Sequence, residues 1–230
     1  GLTNLLRRET RVSWVRFLLL GLVFSAIVIG NAAYEAGNIS GAVLGLNEVL
    51  TVPYAGLVIG LIAAALLWSG SHQLIQKALT GLVILMSLSF VLTAVLTQPD
   101  LEKLFSGIFI PSFESEDLLI VMALIGTTIV PYNLFLASGL SQGQSLAEMR
   151  FGLILAILIG GLITLAILLT GGMVSGAFSF EALAKVLDTR LDGKGHLLLG
   201  IGLFTAGLSS AITAPLAAAV PGKSLLGSSK

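Results

Sequence analysis

The 230-residue chain holds only 12 basic and 12 acidic side chains, so 10% of it is charged while 56% is hydrophobic. Soluble domains carry about 25% charged residues, and a mean hydropathy of +1.02 leaves too little polar surface to clothe a water-soluble core. Zero cysteines exclude disulfides, thiolate metal sites and thiol nucleophiles, zero net charge argues against nucleic acid as a partner, and only 6 prolines argue against low-complexity disorder. What remains is an integral membrane protein, with the lipid bilayer as its solvent.

A bilayer core about 30 Å thick needs roughly 20 mostly apolar residues per helix. That ruler predicts six spans, at approximately Trp14–Leu46, Val52–Ser69, Leu79–Leu96, Leu118–Leu140, Arg150–Phe178 and Leu197–Val220. None alternates polar and apolar residues as a membrane β-barrel strand would. The expected fold class is therefore an all-α, multi-span helical bundle. The first span is too long and too far from the start to be a signal peptide, and the chain opens on Gly1 rather than Met.

Lysine and arginine in short loops set orientation. With the start of the chain inside, the inner side carries Arg7, Arg8, Arg11, Arg16, Lys77, Arg150, Lys223 and Lys230. The outer side then carries only Lys103, Lys185, Arg190 and Lys194. Both ends of the chain are thus expected in the cytoplasm. His72 and Lys77 on an inner loop, and the mixed-charge run 181–194 on an outer one, read as solvated connections, the latter as a short surface helix.

Two places break the membrane rules. In the first span, Asn31, Glu35 and Asn38 fall within about 60° of one another on a helix face. Glu35 is the only carboxylate inside a predicted span. Intramembrane acids mark ion or proton pathways, whereas the asparagines read first as interhelical hydrogen-bonding groups. The second place is Gly126-Thr127-Thr128-Ile129-Val130-Pro131-Tyr132-Asn133, in the middle of the fourth span. Pro131 has no N–H, so the Thr127 carbonyl loses its helical donor, and Val130 is pushed out of the α region. A discontinuous helix is expected, with free carbonyls that attract cations at the break. Pro215 in the sixth span reads instead as a kink satisfied by neighbouring hydroxyls.

At these residues the chain resembles the Nramp family (natural resistance-associated macrophage proteins), proton-coupled divalent-metal transporters. The family's sixth helix carries Gly-Ala-x-x-Met-Pro-His, matched by the stretch from Gly126 to Asn133 and on to Ser138. Its third-helix pattern, Asp-x-x-Glu-x-x-Gly-x-x-x-Gly-Leu, anchored on Gly41, Gly45 and Leu46, puts Glu35 at the Asp and Asn38 at the Glu. Its eighth-helix Ser-Ser-x-x-Thr run is similar to Ser209-Ser210-Ala211-Ile212-Thr213.

The resemblance implies a partial 5+5 inverted-repeat transporter fold, broken at Pro131, whose six spans correspond to helices three to eight. On this reading the chain is a fragment. Residues 1–13 are a cytoplasmic segment, 14–220 an incomplete transporter domain, and 221–230 a polar tail foreign to the family pattern. A divalent cation is implied as cargo, with no cofactor, and protons as the coupling partner. The Thr127 carbonyl, Thr128 and Asn133 are the expected cation contacts. Val130 holds the position of the family's metal-binding Met but is no ligand as Val. Glu35, Asn38 and Tyr132 lie on the expected proton pathway, Tyr132 replacing the family His. Without the soft thioether, the oxygen donors left suit Mn²⁺ or Mg²⁺.

The sequence leaves open a same-fold transporter of another small solute, or a membrane protein that transports nothing. It gives no reading as an enzyme: no Ser–His pair, paired Asp or His-Glu-x-x-His helix lies within a span. A bacterial inner membrane is the expected location.

Overall fold

A computed structural model of the chain describes residues 13–98, 101–110, 118–128, 130, 145–174 and 178–225. Among these residues the regular structure is helical throughout, with no strand. The first predicted span is one helical run: α1 (Ser13–Ser25), a wider π turn (Ala26–Gly30) and α2 (Asn31–Val49). The second span is shorter than expected. Its helix, α3 (Ala55–Trp68), has 14 residues, about 21 Å at 1.5 Å per residue. Pro53 keeps Val52 out of the α region, and Tyr54 takes a left-handed φ of 54°, so helix starts only after them.

The third helix, α4 (His72–Leu96), begins ahead of the predicted Leu79. The Ser71 hydroxyl caps it by accepting the Leu74 N–H at 3.3 Å. His72 and Lys77 are therefore helical rather than part of a solvated loop. A short helix, α5 (Leu101–Phe109), follows, and then α6 (Leu118–Thr128). The fifth span also starts early, as α7 (Leu146–Gly171), placing Arg150 inside it. Ser145 and Glu148 explain the start: the Ser145 N–H and hydroxyl both donate to the Glu148 carboxylate, and the Glu148 N–H donates back. That reciprocal pair is a capping box. Finally come α8 (Phe180–Arg190) and α9 (Gly195–Leu225). Helix α9 continues through Pro215 and past the predicted end at Val220.

Four of these runs are long and apolar enough to cross a membrane: Phe17–Val49, Gln73–Leu96, Leu146–Gly171 and Gly195–Ala219. Helix α7 buries only Ala166 and Thr170 and exposes Phe151, Ile157, Leu158 and Leu162. A surface so apolar is stable against hydrocarbon, not water. The chain is an integral, multi-pass membrane protein.

The chain divides into two units, one of Gly1–Ala36, Phe113–Met149 and Thr213–Lys230, the other of Gly37–Ser112 and Arg150–Ile212. In the second unit, α2 and α9 meet backbone to backbone. A Cβ placed on Gly207 would lie 2.5 Å from the Asn38 carbonyl oxygen and 2.5 Å from the Ala42 nitrogen. One on Gly45 would collide with Phe204 and Gly200. Small residues at such crossings let helices pack closely where no hydrophobic drive exists between them. The buried hydroxyls of this unit are satisfied along their own helices. Thr93 donates to the Ser89 carbonyl, Thr97 to that of Thr93 and Thr170 to that of Ala166, each at 2.8 Å. Ser89 instead bridges from α4 to the Leu198 carbonyl of α9.

The mixed-charge loop is more than a solvated connection. Leu183, Ala184 and Leu187 of α8 pack into a cluster with Phe90, Ala94, Ala166 and Leu199. The opposite face carries the exposed Glu181–Lys185 pair at 2.8 Å, a contact of small energetic weight. After α8 the chain reverses through Gly193, at φ +76°, whose N–H reaches the Asp188 carbonyl at 2.9 Å. This returns the chain so that the Asp188 carboxylate accepts the His196 N–H at 2.9 Å and contacts its ring Nδ1 at the same distance. Asp188 thus caps α9 from a neighbouring helix. Those bonds, the His196 backbone N–H foremost, hold its carboxyl below the usual value of 3.8.

Two predictions follow from this packing. Gly207→Ala should destabilise the complete protein by about 1–3 kcal/mol, read as a lower melting temperature, because two backbones must separate. Gly41→Ala, with open space around it, should melt like wild type. Asp188→Ala should remove about 1 kcal/mol near neutral pH. Because the folded carboxyl is depressed, its contribution is present above its unfolded value and lost as pH falls through the folded one. The gap in melting temperature between wild type and Asp188→Ala should therefore close on acidification below about pH 4.

Candidate cation and proton site

The first unit brings the two rule-breaking segments together. Along α2, Asn31, Tyr34, Glu35 and Asn38 are half-buried, while Ala32, Ala33, Ala36 and Gly37 are exposed. The polar face is thus the covered one. Asn31 donates from Nδ2 to the Ala214 carbonyl of α9 at 2.9 Å, which is the interhelical role read for it. Tyr34 donates its hydroxyl to the Gly126 carbonyl of α6 at 2.6 Å. These two bonds tie the α2 segment that carries Glu35 to both neighbours.

Polar atoms on this face are shielded from solvent. They are Asn31 Oδ1, Glu35 Oε2 and, further along α2 in the second unit, Asn38 Nδ2. Asn31 Oδ1 and Asn38 Nδ2 have no hydrogen-bond partner among the described residues. An unmet polar atom in an apolar environment is costly, about 1–3 kcal/mol, so the Asn31 oxygen calls for a donor or a cation and the Asn38 amide nitrogen for an acceptor.

Helix α6 ends at Thr128, and Val130 lies outside any helix with 3% of its surface exposed. Thr127 is exposed, its hydroxyl donating back to the Leu124 carbonyl at 3.0 Å. That bond leaves the backbone carbonyl of Thr127 as the group without a helical donor, since Pro131 offers no N–H. Pro131, Tyr132 and Asn133 lie outside the described residues, and of Thr128 only the helical backbone is described. Among the described residues no three His, Asp or Glu side chains gather where they could hold a metal ion.

The sequence missed two residues that matter. Tyr34 sits on the polar face already singled out, and a phenol in an apolar span needs a hydrogen-bond partner; that was the available signal. Asp188 carried none, because its partner His196 comes within reach only once the chain reverses at Gly193. A separate groove of about 680 Å³ lies in the second unit between α3, α4 and α9. It is apolar apart from Ser69 and Lys77 and includes none of the candidate residues.

Comparison with known proteins bears on the same segments. The chain is 28% identical over 203 residues to the divalent metal cation transporter MntH of Bacillus subtilis (strain 168), covering 77% of this chain and 47% of that protein. It is 25% identical over 223 residues to the natural resistance-associated macrophage protein 2 homolog of Dictyostelium discoideum, covering 87% of this chain and 35% of that protein. The chain thus spans about half or less of the length of these relatives. Residues 1–229 match the family described as natural resistance-associated macrophage protein-like, and the chain belongs to that family, Nramp.

Proposed function

We propose that the protein containing this chain moves a divalent metal cation across a membrane by alternating access. The observation that carries the reading is the juxtaposition of Glu35's helix with the end of α6, made by the 2.6 Å bond from Tyr34 to Gly126. The cation is cargo rather than a cofactor, and the reading assigns no catalytic residue. Its proposed contacts are the Thr127 carbonyl, with Thr128 and Asn133, in a site completed by parts of the protein beyond this chain. The name of the Bacillus relative, a divalent metal cation transporter, supports the cargo class. Val130, in the position where a soft ligand is expected, offers only a buried aliphatic surface, which favours Mn²⁺ or Mg²⁺ over softer metals.

Proton coupling is a further part of the proposal. Glu35 would bind and release the proton on the covered face of α2, with Asn38 and Tyr132 along its path. The loop charges support both ends of this chain facing the cytoplasm. A second reading, transport of another small solute on the same fold, draws on the lack of a carboxylate cluster among the described residues.

The test is Mn²⁺ uptake by the complete protein in vesicles across a pH series, with Glu35→Gln beside wild type. Wild type should accumulate the ion with pH-dependent rates, and the variant should insert normally but lose that dependence. Unchanged pH dependence removes Glu35 from the mechanism. Absence of uptake by wild type, with uptake of another solute instead, favours the second reading.

A further inference from the structure

A helix that stops leaves its last carbonyls without the donors of a continuing one, and Val130, beyond the Leu118–Thr128 helix, is not helical. Pro131 removes one such donor outright. In hydrocarbon an unmet carbonyl is not rescued by bulk water, so it needs a donor or a cation from within the protein. One donor is supplied from another helix. The Tyr34 hydroxyl reaches the Gly126 carbonyl at 2.6 Å, at the short end of the range for such bonds. Gly126 immediately precedes Thr127, and Tyr34 immediately precedes Glu35. The single bond therefore joins the neighbour of the proposed cation ligand to the neighbour of the proposed proton carrier.

We infer that Tyr34 is a positioning residue for the cation site. Its hydroxyl holds the terminal turn of α6 against α2 and so fixes the direction of the Thr127 carbonyl. It also gives the Gly126 carbonyl a donor, whereas the next carbonyl along, that of Thr127, loses its helical donor because Pro131 has no N–H. Gly126 itself adds no side chain, and among the described residues nothing lies within 4 Å of where its Cβ would be. The phenol is thus a restraint on the turn from another helix at a point where Gly126 supplies no side-chain packing. This inference rests on the transport reading above and assigns within it a residue that touches neither ion nor proton.

Tyr34→Phe tests it, because the ring and its packing stay while the hydroxyl goes. Mn²⁺ uptake by the complete protein would be measured over concentration and pH, normalised to the amount inserted. Loss of one hydrogen bond should raise the KM about five-fold. The maximal rate per inserted molecule and the pH profile should be those of wild type. A role only in folding would instead lower the amount inserted, or the maximal rate, at unchanged KM; either result overturns the inference. If wild type takes up Mn²⁺ and the variant's KM is the same, Tyr34 is no positioning residue while the transport reading stands. If wild type moves no divalent cation, the transport reading fails first and takes this inference with it.

Discussion

In a bilayer every backbone N–H and C=O must find its partner within the protein, and this constraint shapes the molecule more than side-chain chemistry does. Where it is met, the chain is plain apolar helix: α4 and α7 satisfy themselves internally and turn leucine and isoleucine outward, whereas α9 buries Leu199, Leu208 and Ile212. Threonines 93, 97, 170 and 205 obey the same rule by donating to carbonyls a turn or less behind them. Where two helices must come close, glycine does it. Gly45 on α2 and Gly200 and Gly207 on α9 remove side chains so that backbone lies on backbone. At the end of α6 Pro131 takes away the helical donor of the Thr127 carbonyl, and that is where the proposed cation site lies.

Two kinds of polar group lie along the covered face of α2. Some make interhelical bonds: Asn31 Nδ2 holds α9 through the Ala214 carbonyl, and the Tyr34 hydroxyl holds α6 through that of Gly126. Others, Asn31 Oδ1 and Asn38 Nδ2, are sheltered without a partner among the described residues. The first kind ties helices together, and the second has polar atoms unmet among the described residues. A transport site needs both, since a rigid but saturated site binds nothing and an unsaturated but loose one does not discriminate.

Much of this was legible in the sequence. Hydropathy located the helices, and the charge rarity made Glu35 conspicuous because nothing about an apolar anchor calls for it. The proline rules singled out the stretch before Pro131. Other features were hidden for identifiable reasons. Helix starts at His72 and Leu146 depend on single hydroxyl caps from Ser71 and Ser145, which a hydropathy window averages away. The short α3 depends on Pro53 and the left-handed Tyr54. The packed face of α8 is diluted by Glu181 and Lys185 on its other side and by Arg190, which donates to the Thr97 carbonyl at 3.0 Å, so the segment reads as polar although Leu187 is fully buried. Tyr34 was visible as a residue but not as a bond, because its partner lies 92 positions away.

The central claim is that cation selection arises at the break in α6, from oxygen donors and without a thioether. Val130 is the position that decides it, buried beside the end of α6 and shaped as an aliphatic residue where a sulfur ligand would stand. The direct measurement is competition of Cd²⁺ against Mn²⁺ uptake by the complete protein, wild type and Val130→Met side by side. Methionine there should strengthen Cd²⁺ competition by about ten-fold or more, since a thioether favours the softer ion. Identical competition profiles for the two proteins would contradict the placement of the site.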